Sequence, residues 1–427
     1  MSLDLDLADL ADLEQDCAAA QTTEAVEAVL QKIYKVTPRL RDPANFGRKL
    51  FTPGLDALIP LLAARLQLTD VTQTKSNDRV CIVATRFYDT GGHTRVAQDI
   101  MAGLGPDRRA TMIFTDLRGE IRYRVLFASR RLRSHLGEHA CLILSAGSLT
   151  ERIVELYMML RAARPTRIML MCHPFDPVAV IACWPFRDVV EFIHHVDHIP
   201  GFGASAPWSA HVDVTYACHL ACRSYGLPAV YAGMTSPKTD APARAPTPGR
   251  LRFATCGDQH KFRGPGERAW TDYAAAILAT PGAELFHIGP ASDDFQQEVH
   301  GALSAAGIDP ARYVFAGIKP SLPAALAELE IDIYFSSYPA GGGKAILEAM
   351  VAGVPVIIPA DAGVPPLMQF DLPLKHYVKL SSPDEVSAAV AMALDLAREM
   401  RTPLELENRD REIGRFAAFV AGQPPAD

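Results

Sequence analysis

Apolar positions along the chain change period near residue 78. Before it, Leu3, Leu7, Leu10 and Leu13 recur at three- and four-residue steps, and Ala-, Leu- and Glu-rich segments follow. That rhythm predicts a small helical extension over 1–75. Beyond it, short β-rich runs alternate with helical ones: RVCIVAT, ATMIFTDL, ACLILSA, RIMLMCH, VVEFIHH and VDVTYA. Near-continuous apolar runs spaced by helices predict a parallel sheet covered on both faces. The polar, proline-rich segment SPKTDAPARAPTPGR (236–250) has no apolar period and reads as an exposed linker. The alternation then resumes in LRFATCG, AELFHIG, YVFAG, DIYFSSY and VPVIIP, and a helical stretch closes the chain. The expected organisation is α/β throughout: extension 1–75, a Rossmann-like domain 76–235, the linker, a second Rossmann-like domain 251–395, and a helix over 396–427 crossing back to the first domain. Two such domains facing a cleft would bind ligands beyond the carboxyl ends of their strands.

Composition narrows the partners. A length of 427 residues with 49% hydrophobic and 21% charged residues suits two cored domains and excludes a disordered chain. The net charge of -7 argues against a general nucleic-acid-binding surface. No apolar run approaches the ~20 residues needed to span a bilayer. The start MSLDLDLADLADLEQD is acidic, unlike a secretory signal, and the eight scattered cysteines suit buried thiols, so the expected location is cytoplasmic. Cys218-His219-Leu-Ala-Cys222 is the one dense thiol–imidazole cluster. Without a second ligand pair at zinc spacing it reads as packing.

The chemistry concentrates in YFSSYPAGGGKAILEAMVAGVPVIIPA (334–360), where a strand delivers Gly341, Gly342 and Gly343 to the start of a helix carrying Lys344. Glycines allow positive φ and close approach, free N–H groups and the helix dipole favour an anion, and a lysine adds a cation. Phosphate fits. A nucleoside-triphosphate loop would need glycine and Ser/Thr where Tyr338 and Ala345 stand, and no strand is followed by G-x-G-x-x-G. What remains is a glycine-rich helix start with Glu348 one turn in, placed to accept from ribose hydroxyls. The alternative is a plain Lys344–Glu348 helix pair.

This strand, glycine turn and helix with an internal Glu, followed by AGVPVIIP, resembles the donor-nucleotide site of GT-B glycosyltransferases over roughly 78–420. The resemblance implies a nucleotide-sugar donor such as a UDP-sugar, with Glu348 on the ribose and the preceding loop on the diphosphate. LRFATCGDQHKFRG is similar to the position where a basic residue touches that diphosphate, which implies Lys261, with Gln259 and Arg263 beside it. Gly91-Gly92-His93, after the first strand, is similar to the GT-B glycine loop that faces the transferred sugar, with Arg95 in support. Solvated turns are the alternative for both stretches. The family generally needs no bound divalent metal or other cofactor, and the only Asp-x-Asp, Asp4-Leu5-Asp6, lies in the acidic extension.

In VVEFIHHVDHIPGFGAS, period 2 sets His195 with Asp197 on one face and His194 with His198 on the other. A histidine oriented by a carboxylate suits a general base, and a similar His-His-x-Asp-His stretch occurs in group-1-type GT-B enzymes. Zinc is the alternative, without a further ligand motif to support it. His173 also stands at a strand end. Retaining group-1 enzymes usually carry Glu eight positions before the helix Glu, and here that position is Ala340. PAGGGKAILEA is closer to protein O-GlcNAc transferases and cytoplasmic bacterial N-glycosyltransferases, which implies inversion and a protein or glycan acceptor. A sugar-nucleotide epimerase and a non-catalytic, partner-binding relative stay open as other readings.

Overall fold

In the computed structural model the described residues are all but 1–6, 42–44, 46, 72–78, 87–91, 105–109, 118–139, 146, 197–198, 237–248, 264–267, 361–363, 365, 369–376, 401–402 and 424–427. Asp4 and Asp6 and nearly all of the proline-rich segment therefore lie outside them. The chain divides into two units, Met1–Gly233 with Arg415–Asp427, and Met234–Gly414. Among the described residues no helix is long and apolar enough to cross a membrane.

The first unit is built on seven parallel strands: β1 (Val80–Ala84), β2 (Ala110–Phe114), β3 (Ala140–Ile143), β4 (Arg167–Met171), β5 (Val190–His194), β6 (Ala210–Asp213) and β7 (Ala229–Tyr231). Their order is β3-β2-β1-β4-β5-β6-β7, so the direction of winding reverses between β1 and β4. β1 is buried at every position, as a central strand covered on both faces must be. The leading helices pack onto this unit. Val26, Leu30 and Ile33 of helix Thr23–Val36 share one core with Ile153 and Leu156 of helix Leu149–Ala163. A buried carboxylate extends that tie: Asp56 accepts from Gly203 N at 2.6 Å and from Ser205 N at 2.8 Å. At the strand ends, Asp176 accepts from Thr85 and Thr115 hydroxyls, both at 2.5 Å, and caps helix Pro177–Cys183 through Ala179 N. Arg167 pairs with Glu191 across β4 and β5, and donates to the Val420 and Phe419 carbonyls at the end of the last helix.

The second unit holds six parallel strands: β8 (Leu251–Cys256), β9 (Ala283–Ile288), β10 (Tyr313–Gly317), β11 (Ile333–Phe335), β12 (Val356–Pro359) and β13 (Tyr377–Leu380). The order β10-β9-β8-β11-β12-β13 reverses between β8 and β11. Ile333 stands beside Phe253 and Tyr334 beside Ala254, so these two strands deliver their following loops to the same edge. That switch point is where open α/β sheets leave a crevice for ligands. Ile346, Ala349 and Met350 of helix Gly343–Val351 pack in one core with Tyr334 and Val356.

Candidate functional site

The loops after β8 and β11 meet. Ala340 N donates to the Lys261 carbonyl at 3.2 Å, joining the glycine turn to the short helix Gln259–Lys261. The Lys261 side chain runs over Gly257 and ends at Gly342: a Cβ on Gly342 would stand 2.9 Å from Lys261 Nζ, and one on Gly257 2.9 Å from its Cδ. Gly342 is the residue before helix Gly343–Val351, and no side chain caps that helix. An uncapped N-terminus beside an ammonium is a place for an anion. None of Gly341, Gly342 and Gly343 has positive φ. The glycine freedom expected from the sequence is therefore not used, and the space left by Gly342 admits the lysine head. Glu348 is half-buried one turn further along the helix. Its charge and that of Lys261 both act on Cys256 at the end of β8. Burial pushes that thiol up to about 11, Lys261 pulls it down and Glu348 pushes it up.

A polar chain holds the β8 end. Trp270 Nε1 donates to the Tyr313 hydroxyl at 3.0 Å, the hydroxyl pairs with His287 Nδ1 at 3.0 Å, and His287 Nε2 donates to the Gly257 carbonyl at 3.1 Å. Burial lowers His287 to about 4, so the ring is neutral and can accept from Tyr313 while donating to Gly257. Gly289 has φ +148°, and a Cβ there would sit 2.1 Å from the Gly257 carbonyl oxygen, so only glycine fits. Sequence reading passed over His287 and Gly289. The signal available was a histidine at the end of an apolar strand followed by glycine, as in AELFHIG.

Other expected donor-site residues are engaged elsewhere. Gln259 Oε1 accepts from Ser292 N at 2.8 Å, fixing the start of helix Asp293–Ala305. Arg263 forms an ion pair with Glu298 and lies 5.0 Å over the Phe295 ring. Lys344 donates to the Thr235 carbonyl, which ties the glycine helix to the start of this unit. Of the three cations expected on the diphosphate, Lys261 is the one brought to the glycine turn.

In the first unit Gly91 lies outside the described residues. Gly92 opens helix Gly92–Leu104 with His93 next to it, and Arg95 donates to Gln98 at 3.3 Å. His173 lies just past β4. Its N–H donates to Thr85 Oγ1 at 2.8 Å and its ring meets Phe175 edge-on. β5 stops at His194, so the two-residue alternation does not carry on through His195. Asp197 and His198 lie outside the described residues. His195 Nδ1 donates to the Ile193 carbonyl at 3.1 Å, which leaves Nε2 as the nitrogen with a lone pair.

His194 turns the other way, into the unit. Its Nε2 lies 2.9 Å from His211 Nδ1 and 3.6 Å from Cys222 Sγ. Burial, with His211 and His195 adding to it, holds His194 well below the usual imidazole range. The Cys222 thiol donates to Asp213 Oδ1 at 3.3 Å. The strand register sets His194 opposite Asp213, and the helix Tyr216–Ser224 brings Cys222 over them. The cysteine of the 218–222 cluster and the histidines of β5, read separately in the sequence, share one buried pocket.

No protein-family model matches the chain, and no curated protein matches it in sequence. Solved structures do match in fold. HepE of Anabaena in complex with UDP and glucose has a TM-score of 0.55 at 15% identity, over 81% of this chain and 98% of that one. A glycosyltransferase from Rickettsia africae ESF-5 has a TM-score of 0.56 at 10% identity, over 81% and 96%. An O-GlcNAc transferase variant of Thermobaculum terrenum has a TM-score of 0.50 at 17% identity, over 94% and 78%. The chain has the fold of these glycosyltransferases: two parallel, doubly wound α/β units of the GT-B kind.

Proposed function

We propose that this protein is a glycosyltransferase that moves a sugar from a UDP-sugar to a protein or glycan acceptor, with inversion and without a divalent metal at the diphosphate. The observation that carries the reading is the Lys261 ammonium set against Gly342 at an uncapped helix start, on the switch point of the second sheet. In this assignment the helix N–H groups and Lys261 neutralise the diphosphate, and Glu348 accepts from the ribose. As the bond from sugar C1 to the diphosphate breaks, the acceptor bonds to C1 from the opposite face. The acceptor's proton passes to His195 Nε2. The GT-B fold of HepE, solved with UDP and glucose, supports the choice of nucleotide. A cytoplasmic location goes with a nucleotide-sugar donor.

Calorimetry with UDP tests the site. Wild type should bind, and Lys261→Ala should weaken binding by about 10–100-fold, since a hydrogen bond to a charged group contributes ~1.5–3 kcal/mol. Lys344→Ala should matter less, because its ammonium already serves the Thr235 carbonyl. Wild type that does not bind UDP, or Lys261→Ala that binds equally well, would remove the site.

Donor hydrolysis or transfer should persist in excess EDTA, because fixed cations and a helix end do the work of a metal at the leaving group. Activity lost in EDTA and restored by manganese alone would reject the metal-free assignment.

A further inference from the structure

We infer that His194, His211 and Cys222, joined by Asp213 as a fourth ligand, form a structural zinc site inside the first unit. One donor atom from each of His194, His211 and Cys222 lies within 4.8 Å of the other two. The strand register puts His194, His211 and Asp213 on one face of neighbouring strands: His211 pairs with Phe192, two residues before His194, and Asp213 with His194 itself. All four side chains are essentially inaccessible, at 2%, 0%, 0% and 0% exposure for His194, His211, Cys222 and Asp213.

Three donors, from His194, His211 and Cys222, already converge, and Asp213 completes a tetrahedron by turning its carboxylate toward them. Bond lengths to zinc of ~2.0–2.3 Å require donor–donor edges of about 3.3–3.7 Å. Cys222 Sγ to His194 Nε2 is 3.6 Å, and Cys222 Sγ to Asp213 Oδ1 is 3.3 Å. The His194–His211 separation of 2.9 Å is a hydrogen bond that opens slightly when both nitrogens turn to a metal. His211 is already in the ligating tautomer. Its Nε2–H donates to the Ala206 carbonyl at 2.8 Å, leaving the lone pair on Nδ1, and a ligating histidine is usually held in this way.

Two further features point to a cation. Asp213 Oδ2 is buried without a hydrogen-bond partner, and so is His219 Nδ1, 3.5 Å from it. The 3.5 Å ion pair with His219 is the one charge contact of this carboxyl among the described residues, and a cation beside it would lower the cost of its burial. One thiolate and one carboxylate against a dication also leave the buried group neutral. The surround is apolar and aromatic: Phe192 lies 4.9 Å from the His194 ring and stacks at 6.4 Å on Trp208. On binding, the Cys222 thiol releases its proton to solvent and the His194 proton moves from Nε2 to Nδ1. The mixed nitrogen, sulfur and oxygen set selects zinc over magnesium or manganese, which prefer all-oxygen ligation. The site ties the ends of β5 and β6 to helix Tyr216–Ser224. It takes no part in the diphosphate chemistry, and its buried shell retains the ion through brief EDTA treatment.

The test is elemental analysis of the full chain purified from zinc-supplemented medium and desalted, together with a cobalt titration of metal-stripped protein. About one zinc per chain should remain bound, and cobalt should give tetrahedral ligand-field bands with a thiolate-to-cobalt charge-transfer band. Cys222→Ala should lose both the zinc and that band, whereas Cys141→Ser, on β3, should keep them. Folded wild type with only traces of zinc after supplementation, or a cobalt complex lacking the thiolate band, would overturn the proposal. If Cys222→Ala fails to fold, the wild-type cobalt spectrum decides alone.

Discussion

Turnover should fall by about 10²–10⁴-fold in His195→Ala, with UDP affinity essentially unchanged, as expected for loss of a general base. The ring is half-buried just past β5, and its Nδ1–H is committed to the Ile193 carbonyl. That bond fixes the tautomer and presents Nε2 as the acceptor. His194, one residue earlier, is unsuited to the role. It is buried, held well below the usual range and hydrogen-bonded to His211. Steady-state kinetics with a single acceptor, paired with calorimetry for UDP, separates the two effects. Near-full turnover in His195→Ala would take this residue out of the reaction and direct attention to His173 or His93.

Asp56→Ala should destabilise the first unit by about 3–5 kcal/mol, because buried donors left without a partner cost ~1–3 kcal/mol each. The carboxylate accepts from Thr52 Oγ1, Gly203 N, Ser205 N and Ser205 Oγ, and the two backbone donors have no other described partner. Asp56→Asn should rescue little. Gly203 N donates to one carboxylate oxygen and Ser205 N to the other, so either orientation of an amide sets its NH₂ against a backbone N–H.

The same carboxyl gives a signed pH dependence. Burial raises Asp56 to about 6 against the hydrogen bonds that lower it, whereas an unfolded aspartate titrates near 3.9. Between those values the folded state holds the proton that the unfolded state has lost, so this contribution to stability falls as pH rises through ~4 to ~6. The wild-type advantage over Asp56→Ala should shrink across that window by an amount on the order of 2–3 kcal/mol and level off above it. Urea titrations at several pH values, followed by the fluorescence of Trp184 and Trp208, measure the gap. A gap that widens with pH would reverse the sign.

The sequence determined the elements that depend on local pattern. β1 to β6 and β8 to β12 are visible as apolar runs because parallel strands covered by helices are built mostly of apolar residues. β7 and β13 are not visible. Ala229–Tyr231 is three residues long and only half-buried throughout, and Tyr377–Leu380 has its lysine exposed, so neither leaves an apolar run. The glycine turn was legible for the same local reason, since Gly341 to Lys344 and Glu348 sit within one helix start. That Lys261 reaches this turn is implied by the family resemblance and by no local pattern. Lys344 is nearest in sequence but donates to Thr235, and Lys261 arrives because β8 and β11 are neighbours at the sheet's switch point. His194 and Cys222 were likewise assigned separately, to a strand and to helix packing. Their meeting follows from the β5–β6 register and the helix laid over it. Periodicity reports only whether a position faces the interior. Which interior groups touch is set by strand order and register, which side chains far apart in the sequence decide together.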